Sequence, residues 1–206
     1  MKRPTKEQIT KLPLYQGLTL VHINIVQNER DAANALDELK HELCLGFDTE
    51  SKPIFRKGEF SPGPTLIQLA TKSKAFLFPT RFPAAVCAAR SILSNQNIIK
   101  FGFGISGDKK ELRTKLDIDM VNTQDLAVKL KLFYKEKNTL GARAAVAMVL
   151  KLRLGKGAQK SNWAAYPLTN QQIQYAANDA HCAICVHHVF SQLSTQSLPH
   201  KQLVAW

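Results

Sequence analysis

The sequence predicts an α/β fold in which a mixed central β-sheet is flanked by α-helices. Its first half carries short apolar runs of strand length, near 43–49, 65–71, 75–78 and 97–102. Its second half carries apolar residues mostly at the three- and four-residue spacing of amphipathic helices. Strands interleaved with helices, without an internal repeat, are typical of a layered domain.

The remaining elements follow in chain order. A strand over 18–25 precedes a helix over 31–43, in which Ala32, Leu36 and Leu39 recur at helical spacing. Further helices are predicted over 83–94, 107–115, 124–132, 141–151 and 169–192. We expect one domain over 18–192, a polar, frayed N-terminal tail over 1–17 and a C-terminal tail over 193–206.

Two acids end one of the predicted strands. Asp48 and Glu50 close the run Leu43-Cys44-Leu45-Gly46-Phe47-Asp48-Thr49-Glu50, and residues two apart in a strand point to the same face. Carboxylates so close repel each other unless a cation lies between them, and Mg²⁺ favours oxygen ligands of this kind. The pair indicates a metal site. Taken alone, it is explained better by a solvated strand end or an ion pair with Lys52.

Another acid lies on the last predicted helix. Thr169 is a candidate N-cap, and the helix continues through Tyr175 and Asp179. Because these two residues are four apart, they share one helical face, which continues with small apolar residues. An acid on an inward-facing side of a helix requires a partner. For this segment alone, a structural hydrogen bond between the tyrosine and a carboxylate is the simpler explanation.

A glycine-rich turn contains the next candidate acid. Gly102, Gly104 and Gly107 form G-x-G-x-x-G between a predicted strand and a predicted helix, the pattern of dinucleotide-binding folds. In those folds the N-terminus of the helix holds pyrophosphate. Here Asp108 directly follows the third glycine, where its charge would oppose a phosphate. The sequence therefore disfavours a Rossmann oxidoreductase.

The three segments together resemble the DEDDy branch of the DnaQ-like 3′→5′ exonucleases, which includes ribonuclease D and the exonuclease domain of the Werner syndrome protein. Asp48-Thr49-Glu50, then Asp108, then Tyr175-Ala176-Ala177-Asn178-Asp179 match that family's Asp-x-Glu, Asp and Tyr-x-x-x-Asp motifs in order. The similarity covers about residues 18–192. Ser51 departs from the pattern, because many relatives carry tryptophan there. The resemblance implies a ribonuclease H-like exonuclease fold.

The resemblance also implies a reaction. It predicts hydrolysis of the terminal phosphodiester at a 3′ end with two divalent metal ions, Mg²⁺ or Mn²⁺, and release of nucleoside 5′-monophosphates. The implied metal ligands are Asp48, Glu50, Asp108 and Asp179, and Tyr175 is implied to orient the attacking water. The expected substrate is nucleic acid with a 3′ end, single-stranded or recessed duplex. DNA and RNA both stay open, including RNA processing of the ribonuclease D type.

The charge of the chain favours a polyanionic partner. Lys and Arg number 28 against 16 acids, a net charge of +12, and a basic face around an acidic metal centre suits a phosphodiester polymer. Solubility or an acidic protein partner would use the same charge. Trp163 is a candidate for stacking on a base, with a core position as the alternative. The predicted cationic contacts to substrate are Arg56, Lys57, Lys109, Lys110 and Lys160.

Other classes of protein fit the sequence less well. It has neither a long apolar run for a membrane span nor a secretion leader, so we expect a soluble, intracellular and cytoplasmic protein, with a nuclear location also open. Cys182 and Cys185 form one C-x-x-C inside the last helix, and packing explains it better than zinc. His181, His187 and His188 are expected on partly exposed turns of that helix. A nucleic-acid-binding module with weak or no catalysis is the alternative function.

Overall fold

A mixed six-stranded sheet forms the centre of the molecule in the computed structural model, which describes residues 3–53, 61–155 and 157–197. The sheet has the order β1-β4-β3-β2-β5-β6. Strand β3 is antiparallel to both of its neighbours, whereas the other adjacent pairs are parallel. The strands are β1 Ile23–Ile25, β2 Cys44–Ser51, β3 Pro64–Ala70, β4 Ala75–Pro79, β5 Ile99–Gly102 and β6 Thr123–Asp125. The predicted fold class is thus confirmed.

Helices cover both faces of the sheet. Among the described residues they are α1 Lys6–Thr10, α2 Glu29–Leu39, α3 Pro83–Leu93, α4 Ser106–Leu116, α5 Leu126–Phe133, α6 Ala142–Ala145 and α7 Asn170–Ser197. Helix α6 continues as a π-helical turn, Val146–Leu150. The predicted helix bounds differ from these mainly at their ends. Helix α2 ends four residues before the predicted position, because Leu43 instead joins the sheet through the hydrogen bond from Ile99 N to its carbonyl oxygen.

The core lies on the two faces of the sheet. Leu45 and Phe47 of β2 pack with α2 and α3 on one face. On the opposite face, α7 lies over β3 and β4 with Ala176, Ala177 and Ala180 against the strands. Small side chains let this helix approach the sheet closely, so the polar residues near its N-terminal end lie close to the strand ends.

The predicted strand over 18–25 is shorter than expected. Residues 20–22 form a 3-10 turn, and only Ile23–Ile25 pair with β4. The backbone of Leu18 instead bonds to α7, with its N–H donating to Asn178 Oδ1 at 3.2 Å and its carbonyl accepting from Gln174 Nε2 at 3.4 Å. Those side-chain partners replace a neighbouring strand.

The N-terminal segment is not frayed as predicted. Thr5 and Gln8 form a capping box on α1, and Tyr15 is 8% exposed. The Tyr15 hydroxyl bonds to His181 Nδ1 at 2.7 Å, and His181 Nε2 bonds to the carbonyl of Lys72 at 2.9 Å. Because a carbonyl only accepts, Nε2 carries the proton and Nδ1 accepts from the tyrosine. The limits of the domain stay a prediction.

The prediction that His181 is partly exposed is also wrong, because its side chain is buried. His187 and His188 are half-buried, as predicted. All four cysteines are free, with Cys182 fully buried and Cys185 partly buried in the core under α7. None of the helices in the described ranges has the length and apolar character that crossing a membrane requires.

Candidate active site

The site lies where strand β2 extends past its neighbour. Strand β5 pairs with β2 only over Cys44–Gly46, whereas β3 pairs with β2 through Glu50 and beyond. Asp48 and Glu50 therefore stand on a strand that has β3 on one side and an open edge on the other. Both point to the face covered by α7, because they share the parity of Gly46, which contacts that helix.

Helix α7 brings Tyr175 and Asp179 to this strand end. Its N-terminus is closed by the predicted cap: Thr169 Oγ1 accepts from Gln172 N at 3.2 Å, and Gln172 Oε1 accepts from Thr169 N at 3.0 Å. Tyr175 and Asp179 follow on one face of this helix and line the same cleft, where the Tyr175 hydroxyl lowers the pKa of the Asp179 carboxyl. The i, i+4 spacing thus produces the contact that it predicts.

Gly46 sets how closely α7 approaches. A Cβ atom at this position would lie 1.9 Å from the carbonyl oxygen of Ala180, a distance that real Cβ atoms do not reach. Ala180 follows Asp179 directly, and Gly46 precedes Asp48 by two residues on the same face. The absent side chain therefore lets the two carboxylate-bearing elements meet.

Asp108 approaches from the other side of the strand. It lies in the first turn of α4, and the Thr49 hydroxyl donates to its Oδ1 at 2.5 Å. The turn before α4 needs glycine at Gly104, where φ is +72°. Asp125 holds that turn, because its Oδ1 accepts from Gly104 N at 3.1 Å. The glycine pattern thus shapes the turn that presents Asp108.

Burial raises the pKa values of all four acids, and repulsion from the other site carboxylates adds to the shift for Asp48 and Glu50. Burial raises the pKa of Asp48 well above its ordinary value, and the nearby charges of Asp179, Asp108 and Glu50 raise it further. Burial, Asp179 and Asp108 raise the pKa of Glu50 to about 8. Burial raises that of Asp179 to about 7, although its hydrogen bond from Tyr175 opposes the shift. The site therefore resists holding all of its negative charges without a cation.

The pKa values of Asp108 and Tyr175 are raised as well, in both cases mainly by burial. For Tyr175, the charges of Asp179 and Glu50 add to the effect. The tyrosine is therefore a neutral phenol at physiological pH.

Three of the acids, Asp48, Glu50 and Asp179, line a cleft of about 510 Å³ that also contains Phe103 and Arg143. The guanidinium of Arg143 lowers the pKa of Asp179, and its Nη2 donates to Gln159 Oε1 at 2.5 Å. Neither Phe103 nor Arg143 belongs to the site predicted from the sequence. Arg143 stands in a run of basic residues that has no feature to single it out, and Phe103 lies within the glycine-rich segment. Asp108 instead lines an adjoining cleft with Thr49 and Lys110.

The donor set fits hard divalent cations. Its members are carboxylates, which suit Mg²⁺ and Mn²⁺, and a bound cation would relieve the repulsion that raises their pKa values. Within residues 3–53, 61–155 and 157–197, however, no three His, Cys, Asp or Glu side chains already have an arrangement that could hold an ion.

The predicted substrate contacts are only partly brought together. Lys110 is exposed beside Asp108, and the Nζ of Lys109 lies 3.5 Å from Thr123 Oγ1. Lys160 is exposed, next to the Gln159 that bonds Arg143. Arg56 and Lys57 lie outside the described residues.

Trp163 does not match its candidate role. Its side chain is 2% exposed and packs in the core under α7, with its ring centroid 6.0 Å from that of Tyr175. The ring faces are covered by protein, so the indole cannot stack on a base in this arrangement. The core alternative is the one that the structure supports.

Comparison with known proteins identifies the family. The profile of a family described as 3′-5′ exonuclease matches residues 23–195. The chain belongs to this 3′-5′ exonuclease family. The resemblance drawn from the sequence motifs is thereby confirmed.

Individual exonucleases show the same relationship. The mouse bifunctional 3′-5′ exonuclease/ATP-dependent helicase WRN is 30% identical over 155 residues, which cover 72% of this chain and 11% of that protein. The human exonuclease mut-7 homolog is 30% identical over 175 residues, which cover 72% of this chain and 20% of that protein. The chain thus spans a fifth or less of the length of these two relatives.

A solved exonuclease domain confirms the fold. The crystal structure of the Aedes aegypti Nibbler EXO domain superposes with a TM-score of 0.77 at 24% identity, covering 88% of this chain and 93% of that one. The ribonuclease H-like arrangement implied by the sequence is therefore present.

Proposed function

We propose that this chain is a metal-dependent 3′→5′ exonuclease that removes nucleoside 5′-monophosphates one at a time from the 3′ end of a nucleic acid. One observation carries the proposal: Asp48, Glu50, Tyr175 and Asp179 line a single cleft, in which nearby carboxylates raise the pKa values of Asp48 and Glu50. Family membership supplies the reaction class, and this cleft is where the chain has the groups to perform it.

The proposed ligands of two Mg²⁺ or Mn²⁺ ions are Asp48, Glu50, Asp108 and Asp179. When bound, such ions lower the pKa of water and neutralise charge that develops on the phosphate oxygens. The chain's own part is to position these carboxylates on three separate elements: β2, α4 and α7. Asp48 is the acid whose pKa responds to all three of the others.

Tyr175 holds the attacking water in this proposal. Because its pKa is raised, the phenol stays protonated at neutral pH and cannot act as the general base. In this arrangement the hydroxyl donates its proton to the Asp179 carboxylate, and the lone pairs of its oxygen accept a hydrogen bond from water. The tyrosine thus fixes the position of the water without taking its proton.

Cations at the cleft support a phosphodiester substrate. Arg143 lines the cleft with the acids, and Lys110 lines the adjoining cleft with Asp108. A guanidinium so placed can pair with a phosphate oxygen of the terminal nucleotide. A binding module without chemistry would need these cations but would have no use for four carboxylates that repel one another.

Digestion of defined substrates tests the proposal. Single-stranded DNA, recessed duplex DNA and single-stranded RNA, each labelled at the 5′ end, are incubated with Mg²⁺, Mn²⁺ or EDTA. We expect ladders that shorten from the 3′ end with either metal, nucleoside 5′-monophosphates as products, and no cleavage in EDTA. Asp37→Ala is a matched control, because that acid is exposed on α2, where it pairs with Lys40. Internal cleavage, or binding without any cleavage, would contradict the proposal.

A further inference from the structure

Gln68 is a buried amide without a partner. It lies in the middle of β3 with 0% of its surface exposed, and neither its Oε1 nor its Nε2 has a hydrogen-bond partner among the described residues. Buried side-chain amides are nearly always paired, because an unpaired one loses its bonds to water and gains nothing in return. Gln68 therefore requires a hydrogen-bond partner that its present side-chain conformation does not reach.

The surroundings of Gln68 offer one polar neighbour across the sheet. Its register partners are Asp48 on β2 and Leu77 on β4. Above it, α7 contributes alanines to the buried cluster that contains Leu77. The carboxylate of Asp48 is therefore the polar group beside it in the ladder.

Geometry allows the two side chains to meet. Directly opposed residues of antiparallel strands have Cβ atoms about 4.5–5.5 Å apart and point to the same face. The glutamine side chain extends well past its own Cβ, so a rotation about its side-chain bonds brings the amide to the carboxylate. Asp48 Oδ1 already accepts from Thr49 N at 3.0 Å, which leaves Oδ2 as the free acceptor.

We propose that Gln68 is a positioning residue for the metal site: its Nε2 donates a hydrogen bond to Oδ2 of the ionised Asp48 and fixes that carboxylate in the orientation that holds divalent cations. The inference rests on the function proposed above. Thr49 N and Gln68 Nε2 then each donate a hydrogen bond to the Asp48 carboxylate. The remaining lone pairs of the carboxylate oxygens are left for the cations.

Polar groups that orient a ligating carboxylate tune metal affinity without touching the metal. Their loss typically weakens metal binding or activity about 10- to 100-fold. An amide that is merely left over in the core affects stability alone, since replacing it with an apolar side chain of similar shape removes a buried unpaired group and leaves metal affinity unchanged. The two interpretations therefore predict different outcomes for the same substitution.

The test is a titration of the full chain with Mn²⁺ in the absence of nucleic acid. Gln68→Met keeps the length of the side chain and removes its hydrogen bonds, and Gln68→Leu is a second variant in case the first folds poorly. Leu77→Met is the matched control, because Leu77 is equally buried and opposes Gln68 from the side away from Asp48. Urea unfolding of each metal-free variant reports stability separately.

We expect both Gln68 variants to bind Mn²⁺ about 10- to 100-fold more weakly than wild type. The Leu77 variant should keep wild-type affinity, and the metal-free Gln68 variants should unfold at the same or higher urea concentration. Wild-type Mn²⁺ affinity in a folded Gln68 variant would overturn this inference while leaving the proposed function intact. Failure of the wild-type chain to bind Mn²⁺ would overturn the proposed function and this inference with it.

Discussion

Replacing Gly46 with alanine should separate the two halves of the active site. The added Cβ would lie 1.9 Å from the carbonyl oxygen of Ala180, and it must reach at least 3.0 Å. The obstacle is backbone, so α7 must move away from β2 by about 1.1 Å near Asp179. A misplacement of this size can cost about 100-fold in rate. We therefore expect kcat on a single-stranded oligonucleotide with Mn²⁺ to fall about 100-fold.

The fold should survive this change, because overpacking of this kind typically costs about 1–3 kcal/mol. Thermal unfolding checks that the variant is folded at the assay temperature. Gly155→Ala is the matched control, since among the described residues its Cβ would meet Leu14 Cδ1 alone, at 3.9 Å, in ordinary contact. Activity within a factor of three of wild type in folded Gly46→Ala would refute the argument that close approach of α7 assembles the site.

Three further predictions follow from the same site. Tyr175→Phe should lower kcat about 10- to 100-fold, as for other groups that only orient a reactant. Calorimetric titration with Mn²⁺ should show a smaller loss of metal affinity than of turnover, and turnover at the wild-type rate would contradict a role for the hydroxyl in placing water. Because burial raises the folded pKa of Glu50 from its ordinary value of 4.5 to about 8, the metal-free fold holds a proton that the unfolded chain releases, so the free energy of unfolding in urea should fall as the pH rises from about 4.5 to about 8. Saturating Mn²⁺ should flatten that dependence and Glu50→Gln should reduce it, and a slope that neither change affects would assign it to other groups. Neutralising Lys109, Lys110 or Lys160 should reduce the slope of log affinity against log salt by about 0.7 for each lysine that contacts a single-strand phosphate. Fluorescence anisotropy in EDTA measures binding without cleavage. An unchanged slope would assign the lysines to solubility instead.

Local patterns in the sequence predict much of the site. The spacing of Asp48 and Glu50 on an apolar strand, and of Tyr175 and Asp179 on a helix with a clear N-cap, places each pair on one face. These patterns depend only on neighbours within four residues. They therefore predict side-chain direction before any tertiary contact is known.

Contacts between distant segments could not be predicted in this way. Gly46 looks like an ordinary strand glycine until α7 lies on it, and Gln68 looks like an ordinary strand residue until its amide is found buried beside Asp48. The sequence around Trp163 allows either a core position or stacking on a nucleic-acid base, and the burial of its side chain distinguishes between the two. The hydrogen bond between Tyr15 and His181 likewise joins residues that are 166 positions apart in the sequence.

The secondary-structure prediction is wrong at the start of α5. The sequence predicts a helix from residue 124, but Thr123–Asp125 pair with β5 and the helix begins at Leu126. Asp125 ends the strand and caps the helix, because its Oδ1 accepts from Ala127 N at 2.8 Å. A three-residue edge strand has too few residues to show a period of two.

The most direct test of the metal-centre proposal is the Mn²⁺ dependence of 3′-end digestion by wild type and by Asp48→Asn. Asparagine keeps the size of the side chain and removes the charge of the acid whose pKa responds to all three others. The proposal predicts saturable activation of wild type, no activity in EDTA, and a loss of at least about 100-fold, equivalent to about 2.7 kcal/mol of barrier, in Asp48→Asn. Digestion that persists in EDTA, or that Asp48→Asn performs at the wild-type rate, would contradict it.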